Sequence, residues 1–436
     1  MKLKPLGLAV TTAAIVAPIY WMAPLAAERD SIALLSQYFG IVALIAMALT
    51  QIIATRLSFV EHIFGGLDRS YVLHKWLGII ALAAILLHDT IDAEMRGLGR
   101  QSVLVDVAET AGEISLYGIL ILIVISIATF IPYHLWFWTH KLMGTFFALS
   151  AFHFMFIQKP FANPDPLGLY VIAICALGVL SYLYKLGPNW MRPKHRYQVD
   201  QVAHVGSNTV LTLTPDAKPL QYHAGQFAFL QFESAGLHEP HPFTISKAPD
   251  DTGALRFSIA PLGDLTGHAL RQVKPGTTAK IEGPYGRFKR KKTKGSEIWI
   301  AAGIGVTPFV AWAQTLDEND NVTLYYCVKN AEAAPHLAEL QEIAARHSTF
   351  NLVVHESTKS GRLDPKTIAA QAGDGFAQAH VYFCGPKPMR EALQTRFASL
   401  GLSARRFHFE AFDIRTGIGL NKLAAWILKR VSEARK

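Results

Sequence analysis

Six apolar stretches, each long enough to cross a bilayer, crowd the first 186 residues of this 436-residue chain. They run at roughly 6–25, 32–54, 72–91, 114–131, 141–158 and 167–186, and about 18 to 22 residues at ~1.5 Å rise cover ~30 Å of hydrocarbon. We read six membrane spans. Hydrophobic residues make up 51% of the chain and charged residues 17%, with mean hydropathy +0.23, which excludes a disordered chain and an ordinary soluble enzyme.

The charge is unevenly placed. Before Gly187 there are 11 basic and 11 acidic residues, and from it onward 31 and 22, so the whole net charge of +9 sits in the second part. Beside an apolar half, such a surface fits anionic lipid headgroups or a phosphorylated cofactor rather than nucleic acid. Cys175, Cys327 and Cys384 are scattered thiols without a CxxC pair, as in a reduced, cytosolic module.

Lys2 and Lys4, before an apolar run ending Pro24-Leu25-Ala26-Ala27, are also what a signal peptide shows, and cleavage there would leave the orientation of the other spans unchanged. Arg56, Arg69, Lys75, Lys141, Lys185, Arg192, Lys194 and Arg196 join them on one side. The opposite loop carries Asp89, Asp92, Glu94, Asp106, Glu109 and Glu113 against Arg96 and Arg100. By the positive-inside rule both termini are cytosolic, and the expected location is a cell membrane, bacterial and inner.

Two spans repeat a histidine pattern. His74-Lys75-Trp76-Leu77-Gly78 continues to His88, and His140-Lys141-Leu142-Met143-Gly144 continues to His153. Each pair is separated by about 20 Å along its helix, and neutral imidazole is an ordinary axial ligand of haem iron. Polar groups in lipid are costly and usually functional, so four histidines at matched depths predict two stacked haems, each gripped by two helices. Gly78 and Gly144 would let a flat macrocycle approach, or serve helix packing. Fourteen steps leave two rings about 40° apart around a helix but 13 leave them about 140° apart, which asks for a kink or bulge in the fifth span. His62 and His134, at the cytosolic edge, are read as surface residues.

From Tyr197 the period changes to two. Thr209–Leu213 and Phe227–Phe232, between Pro and Gly turns, predict an antiparallel barrel to about residue 286, and from Glu297 strands alternate with helices as in a parallel α/β domain. The barrel contains His241-Pro242-Phe243-Thr244-Ile245-Ser246, then Leu262-Gly263-Asp264-Leu265-Thr266-Gly267, where backbone amides and a hydroxyl at a helix start suit a pyrophosphate. The α/β domain opens with Ala302-Gly303-Ile304-Gly305-Val306-Thr307-Pro308, whose glycines let the chain pass close to a second pyrophosphate while Pro308 suits a first helical turn. Phe383-Cys384-Gly385-Pro386 closes a later strand.

In this order the motifs resemble the ferric reductase and NADPH oxidase superfamily, a six-helix dihaem domain fused to a ferredoxin-reductase-like module. The likeness runs from about residue 30 to 412 and includes Leu67-Asp68-Arg69 before His74. It implies two haem b groups, His74 and His140 binding the inner and His88 and His153 the outer. It also implies FAD, with His241 near its phosphates, Pro242 beside it, Phe243 at the flavin or ribityl chain and Thr244 near N5, and Gly263 and Thr266 at the pyrophosphate. Gly303, Gly305, Thr307 and Pro308 would line the nicotinamide nucleotide, with Cys384 and Gly385 near the nicotinamide. Four segments follow: 1–186 dihaem bundle, 187–290 FAD-binding barrel, 291–415 NAD(P)-binding domain, and 416–436 extension.

The second α/β strand ends Cys327-Val328-Lys329-Asn330 without a carboxylate to repel a 2′-phosphate, so NADPH is the expected reductant and NADH the alternative; Lys329 and Arg362 are candidates to attract that phosphate. A ferric complex, dioxygen and a periplasmic redox partner are all compatible outer-side acceptors, and the acidic outer loop tilts the reading to a metal. Phe412 matches an aromatic that covers the flavin in such reductases, yet 24 residues follow it. Leu420, Leu423, Ala424, Ile427, Leu428 and Val431 form one helical face amid basic residues, suited to a headgroup layer. Arg287, Lys289, Arg290, Lys291, Lys292 and Lys294 form a second basic run suited to the same surface.

Overall fold

A computed structural model describes residues 4–91, 102–127, 131, 133–187, 194–233, 237–261, 269–291 and 295–410. The chain divides into a unit built on Met1–Gly187 and a second unit, Pro188–Phe412.

The first unit is helical: α1 (Pro5–Met22), α2 (Ser31–Ala54), α3 (Ser58–Phe64), α4 (Leu67–Thr90), α5 (Val105–Ile127), α6 (Tyr133–Lys141), α7 (Met143–Phe156) and α8 (Pro166–Leu186). Asp30 caps α2, its carboxylate accepting from the amides of Ile32 and Ala33 at 2.9 Å, which satisfies donors that a helix start leaves open. α2 is the central helix, and Ile45, Ala46 and Ala48 on it are fully buried. Small residues set the helix spacing: a Cβ on Gly178 of α8 would lie 2.9 Å from the Ala48 Cα of α2.

Among the described residues five helices are long and apolar enough to cross a membrane, α1 with the short turn after it, α2, α4, α5 and α8. The sixth expected span differs. The segment expected at 141–158 begins earlier, at Tyr133, and is two shorter helices parted at Leu142, where the Thr145 amide reaches back three residues to the Leu142 carbonyl at 2.9 Å. Such a tightened turn redirects a helix, and it falls between His140 and His153, where the 13-residue spacing asks for it.

The second unit carries two sheets. β1 (His195–Val205), β2 (Asn208–Pro215), β3 (Phe227–Phe232), β4 (His241–Thr244), β5 (Leu255–Ile259) and β6 (Thr278–Tyr285) form an antiparallel sheet in the order β4-β3-β6-β1-β2-β5. The expected barrel is, among the described residues, this six-stranded sheet with the single bridge Ile245–Phe257 joining its two edges. Alternate residues of β1 and β2, among them Tyr197, Val199, Leu211 and Leu213, face its core.

β7 (Glu297–Ala302), β8 (Val322–Val328), β9 (Phe350–Glu356), β10 (His380–Cys384) and β11 (Phe407–Phe409) form a parallel sheet in the order β11-β10-β7-β8-β9. It is joined by α9 (Thr307–Ala313), α10 (Leu337–Arg346), α11 (Ser357–Ser360), α12 (Pro365–Ala372) and α13 (Lys387–Ser399). Strand order reverses between β7 and β10, and ligands of open α/β sheets bind beyond the carboxyl ends of strands at such a point. The expected membrane-facing run 287–294 needs correction at Arg290. Its guanidinium is buried against the start of β7 and the segment before β8, donating to Glu297 and to Asp320 at 2.9 Å each. A buried arginine paired with two carboxylates is committed inward. Lys292 and Lys294 lie outside the described residues.

Candidate functional site

In the helical unit the four histidines share one arrangement. His74 Nδ1 lies 3.2 Å from the Thr50 carbonyl, His88 Nδ1 2.9 Å from the Ser36 carbonyl, and His153 Nδ1 2.8 Å from the Ala108 carbonyl. A carbonyl only accepts, so in each ring Nδ1 bears the proton and Nε2 keeps its lone pair. His140 Nδ1 is 3.2 Å from Ser126 Oγ. That hydroxyl donates to the Leu122 carbonyl at 2.8 Å, which makes Nδ1 the donor here too. Fixing a ligand's tautomer through its second nitrogen is the usual outer support of a metal-bound histidine.

The rings are also paired. His74 and His140 have centroids 6.1 Å apart, and His88 and His153 are close enough to interact electrostatically. Two imidazoles bonded to one metal at about 2 Å each have centroids about 6 Å apart. A haem asks for two axial donors at most. The donor set therefore fits haem iron.

Neighbouring helices leave room for these rings at positions the motifs did not reveal. A Cβ on Gly112 of α5 would stand 2.6 Å from His153 Nδ1, and one on Gly40 of α2 would stand 3.3 Å from the His88 ring. A Cβ on Gly78 would have nothing within 4 Å, whereas a Cβ on Gly144 would collide with Tyr182 at 2.1 Å. Gly144 therefore serves helix packing. Trp136, one turn before His140, stacks on it at 5.0 Å. His62 Nδ1 is occupied by the Ser58 carbonyl at 2.8 Å, and the side chain of His134 is outside the described residues.

In the second unit β4 presents His241 and Phe243 on one face, their rings 6.5 Å apart and near parallel, and Pro242 and Thr244 on the other. Thr244 is buried opposite Phe227 in the ladder with β3. His241 Nε2 is 3.5 Å from a Glu239 carboxylate oxygen, and burial outweighs that carboxylate to hold the imidazole below its ordinary value. Gly263 and Thr266 lie outside the described residues.

The glycine-rich turn after β7 is packed onto the end of β10. Gly303 takes φ +54°, a conformation that favours glycine. A Cβ on Gly305 would lie 2.3 Å from the Cys384 carbonyl oxygen, and one on Gly385 would lie 2.8 Å from Ala302 Cβ. Thr307 and Pro308 follow in the first turn of α9. Gly303, Gly305, Thr307, Pro308, Cys384 and Gly385 thus meet at the switch point. Burial, and next the Glu410 charge, raises the Cys384 thiol well above its ordinary value, so this cysteine stays a neutral thiol.

Glu410, just beyond β11, was not singled out in the sequence. Its Oε1 would be 3.1 Å from a Cβ on Gly286, beside Phe227 of β3, so it touches the antiparallel sheet while its charge acts on Cys384. Phe412 and the 416–436 extension lie outside the described residues. After β8, Glu356 pairs in register with Val328 and accepts from the Ala331 amide at 3.2 Å and from Lys359 at 2.7 Å. A carboxylate absent from the local sequence therefore arrives from the neighbouring strand, beside Lys329 and already neutralised.

Residues 39–151 match the family described as the ferric reductase like transmembrane component, 195–289 an FAD-binding domain, and 299–395 an oxidoreductase NAD-binding domain. The chain is 27% identical over 209 residues to the carnitine monooxygenase reductase subunit of Escherichia coli, covering 47% of this chain and 63% of that protein. It is 27% identical over 248 residues to an NADPH oxidoreductase of Mycobacterium tuberculosis, covering 54% and 64%. It thus spans less than two thirds of these relatives. Flavohemoglobin from Malassezia yamatoensis, solved with FAD and heme, aligns over 92% of this chain and 98% of its own with TM-score 0.50 and 17% identity, a likeness of fold alone.

Proposed function

We propose that the chain, whose three domain matches together make up the architecture of the ferric reductase and NADPH oxidase superfamily and whose first unit carries helices long and apolar enough to cross a membrane, is an NAD(P)H-dependent oxidoreductase of the membrane, a transmembrane flavocytochrome b. In this reading FAD takes two electrons as hydride from NAD(P)H and releases them singly, and two haems carry single electrons across the hydrocarbon. The observation that carries it is the set of four histidines, each with Nδ1 engaged and Nε2 left as a donor to iron.

The chain's residues do the rest. His74 and His140 hold the inner haem, and His88 and His153 the outer, with Thr50, Ser36, Ser126 and Ala108 fixing the rings. Thr244 meets the flavin near N5, and His241, Pro242 and Phe243 line the rest of it, with Gly263 and Thr266 at its pyrophosphate. Gly303, Gly305, Thr307 and Pro308 hold the nucleotide, and Cys384 and Gly385 shape the nicotinamide side as neutral packing groups. The reductant is NADPH, drawn by Lys329. A lower Michaelis constant for NADH than for NADPH overturns that preference.

The outer acceptor is a ferric complex. Asp89 at the end of α4, with Asp106, Glu109 and Glu113 in the first turns of α5, puts carboxylates at the His88 and His153 end of the bundle, and carboxylates attract metal cations. This end faces outward and both termini are cytosolic. Measuring Fe(II) and superoxide formation under one NADPH supply tests the acceptor: Fe(II) in excess supports it, and superoxide in excess replaces it with the oxidase reading.

A further inference from the structure

His336 stands at φ +61° immediately before α10, in the left-handed region that few side-chain-bearing residues occupy. Strained backbone persists where surrounding contacts over-determine it, and here they do. Nε2 of His336 is 2.6 Å from Ser258 Oγ on β5, and Nδ1 is 3.1 Å from Glu339 Oε2, one turn into α10. Glu339 in turn holds Arg256 of β5 at 3.0 Å, and Arg256 donates to the Ser246 carbonyl at 2.6 Å.

A serine, histidine and carboxylate in series resemble the chain that activates a nucleophile. Ser258 is buried and its hydroxyl is held between His336 Nε2 at 2.6 Å and Ser246 Oγ at 3.0 Å. The array instead ties β5 of the antiparallel sheet to α10 of the parallel one. Two further contacts reinforce the same seam. The Ala248 amide donates to Gln314 Oε1 at 2.7 Å, and a Cβ on Gly206, in the β1–β2 turn, would be 2.7 Å from the Ala333 Cβ. The seam and the nucleotide site share one loop, which leaves β8 at Lys329 and ends at His336.

We propose that His336, braced by Ser258, Glu339 and Arg256, is a positioning residue for hydride transfer. It fixes how the nucleotide-binding sheet docks on the flavin-side sheet, and through that the approach of nicotinamide to flavin. In the step it serves, the C4–H bond of the dihydronicotinamide breaks and the flavin N5–H bond forms. Two electrons and one proton move together, so the nicotinamide is oxidised and the flavin reduced without another reactant. Reacting atoms need to come within about 3–3.5 Å, and a remote change that displaces them by 1 Å costs roughly a hundredfold in rate. A seam between the two sheets is therefore where small errors are amplified.

The inference rests on the reading that NADPH reduces flavin in this unit, and the experiment separates the two. Full-length, FAD-loaded protein in detergent is mixed anaerobically with NADPH in a stopped-flow instrument. His336→Ala is expected to slow flavin reduction at saturating NADPH about tenfold or more, within the range such displacements produce. The NADPH dissociation constant stays within about twofold, and the long-wavelength nicotinamide–flavin charge-transfer band weakens. His336→Asn, which tolerates the left-handed backbone and keeps a side-chain donor, recovers much of the rate. Ser258→Ala falls between them and decides the matter if His336→Ala does not retain FAD. Wild-type rates and an undiminished band in these variants overturn the inference alone, as does a loss confined to thermal stability. A wild-type flavin that NADPH does not reduce overturns both the inference and its parent reading.

Discussion

His74 and His140 face one another with ring centroids 6.1 Å apart, each donating a hydrogen bond from Nδ1 to a neighbouring helix, His74 to the Thr50 carbonyl and His140 to Ser126 Oγ. In the proposed reading Nε2 of each ring binds iron, and the ring separation suits one metal between them. His74→Leu is expected to remove the inner haem alone and His88→Leu the outer alone, read as halved haem content with FAD retained. Retention of both haems in either variant contradicts the pairing.

Gly112 supplies a second, independent check on the outer pair. A methyl group there would sit 2.6 Å from His153 Nδ1 and displace the ring from the Ala108 carbonyl. Gly112→Ala should halve haem content while NADPH still reduces FAD at the wild-type rate. Full haem content in this variant would mean that His153 can leave its observed place without cost.

Much of this was legible in sequence because residue type carried it. HKxxG with a second histidine, GxGxxP after a strand, and Cys-Gly-Pro after a later one each name their own chemistry. The break at Leu142 was also readable, since 13 steps cannot align two rings on a straight helix. The supports were not readable. Three histidines lean on backbone carbonyls, which any residue offers, and Gly112 sits 41 positions from the His153 it accommodates. Arg290 shows the reverse failure. An arginine in a basic run looks like a surface feature, until Glu297 and Asp320 enclose it.

Gly305 tests the nucleotide site. The atom a Cβ would meet at 2.3 Å is a backbone oxygen, that of Cys384, and it cannot rotate away. Gly305→Ala should slow NADPH-driven flavin reduction at least about tenfold while dithionite still reduces the bound flavin. Gly375→Ala, with nothing within 4 Å of its added carbon, serves as the control. Equal rates in the two variants would remove Gly305 from the nucleotide site.

Glu339 predicts an acid limit for the second unit. Burial alone would raise its carboxyl, but hydrogen bonds from His336 and the Arg256 charge win and hold it at about 2 against an ordinary 4.5. A carboxyl lowered in the folded state stabilises above its unfolded value, and that stability is lost as pH falls from about 4.5 toward 2. Glu339→Gln should lower the melting temperature at pH 6, followed by flavin fluorescence, and flatten its fall between pH 6 and 3.5. A variant whose melting curve tracks wild type through that range would show the pair to be without net effect.

The most direct test of the electron path is an anaerobic addition of NADPH to the purified full-length protein, following haem absorbance, with haem counted per chain. Two low-spin haems per chain are expected, both reduced by NADPH, and in Gly305→Ala reduced at least about tenfold more slowly. A protein without low-spin haem, or one whose haems stay oxidised while its flavin is reduced, would contradict that path.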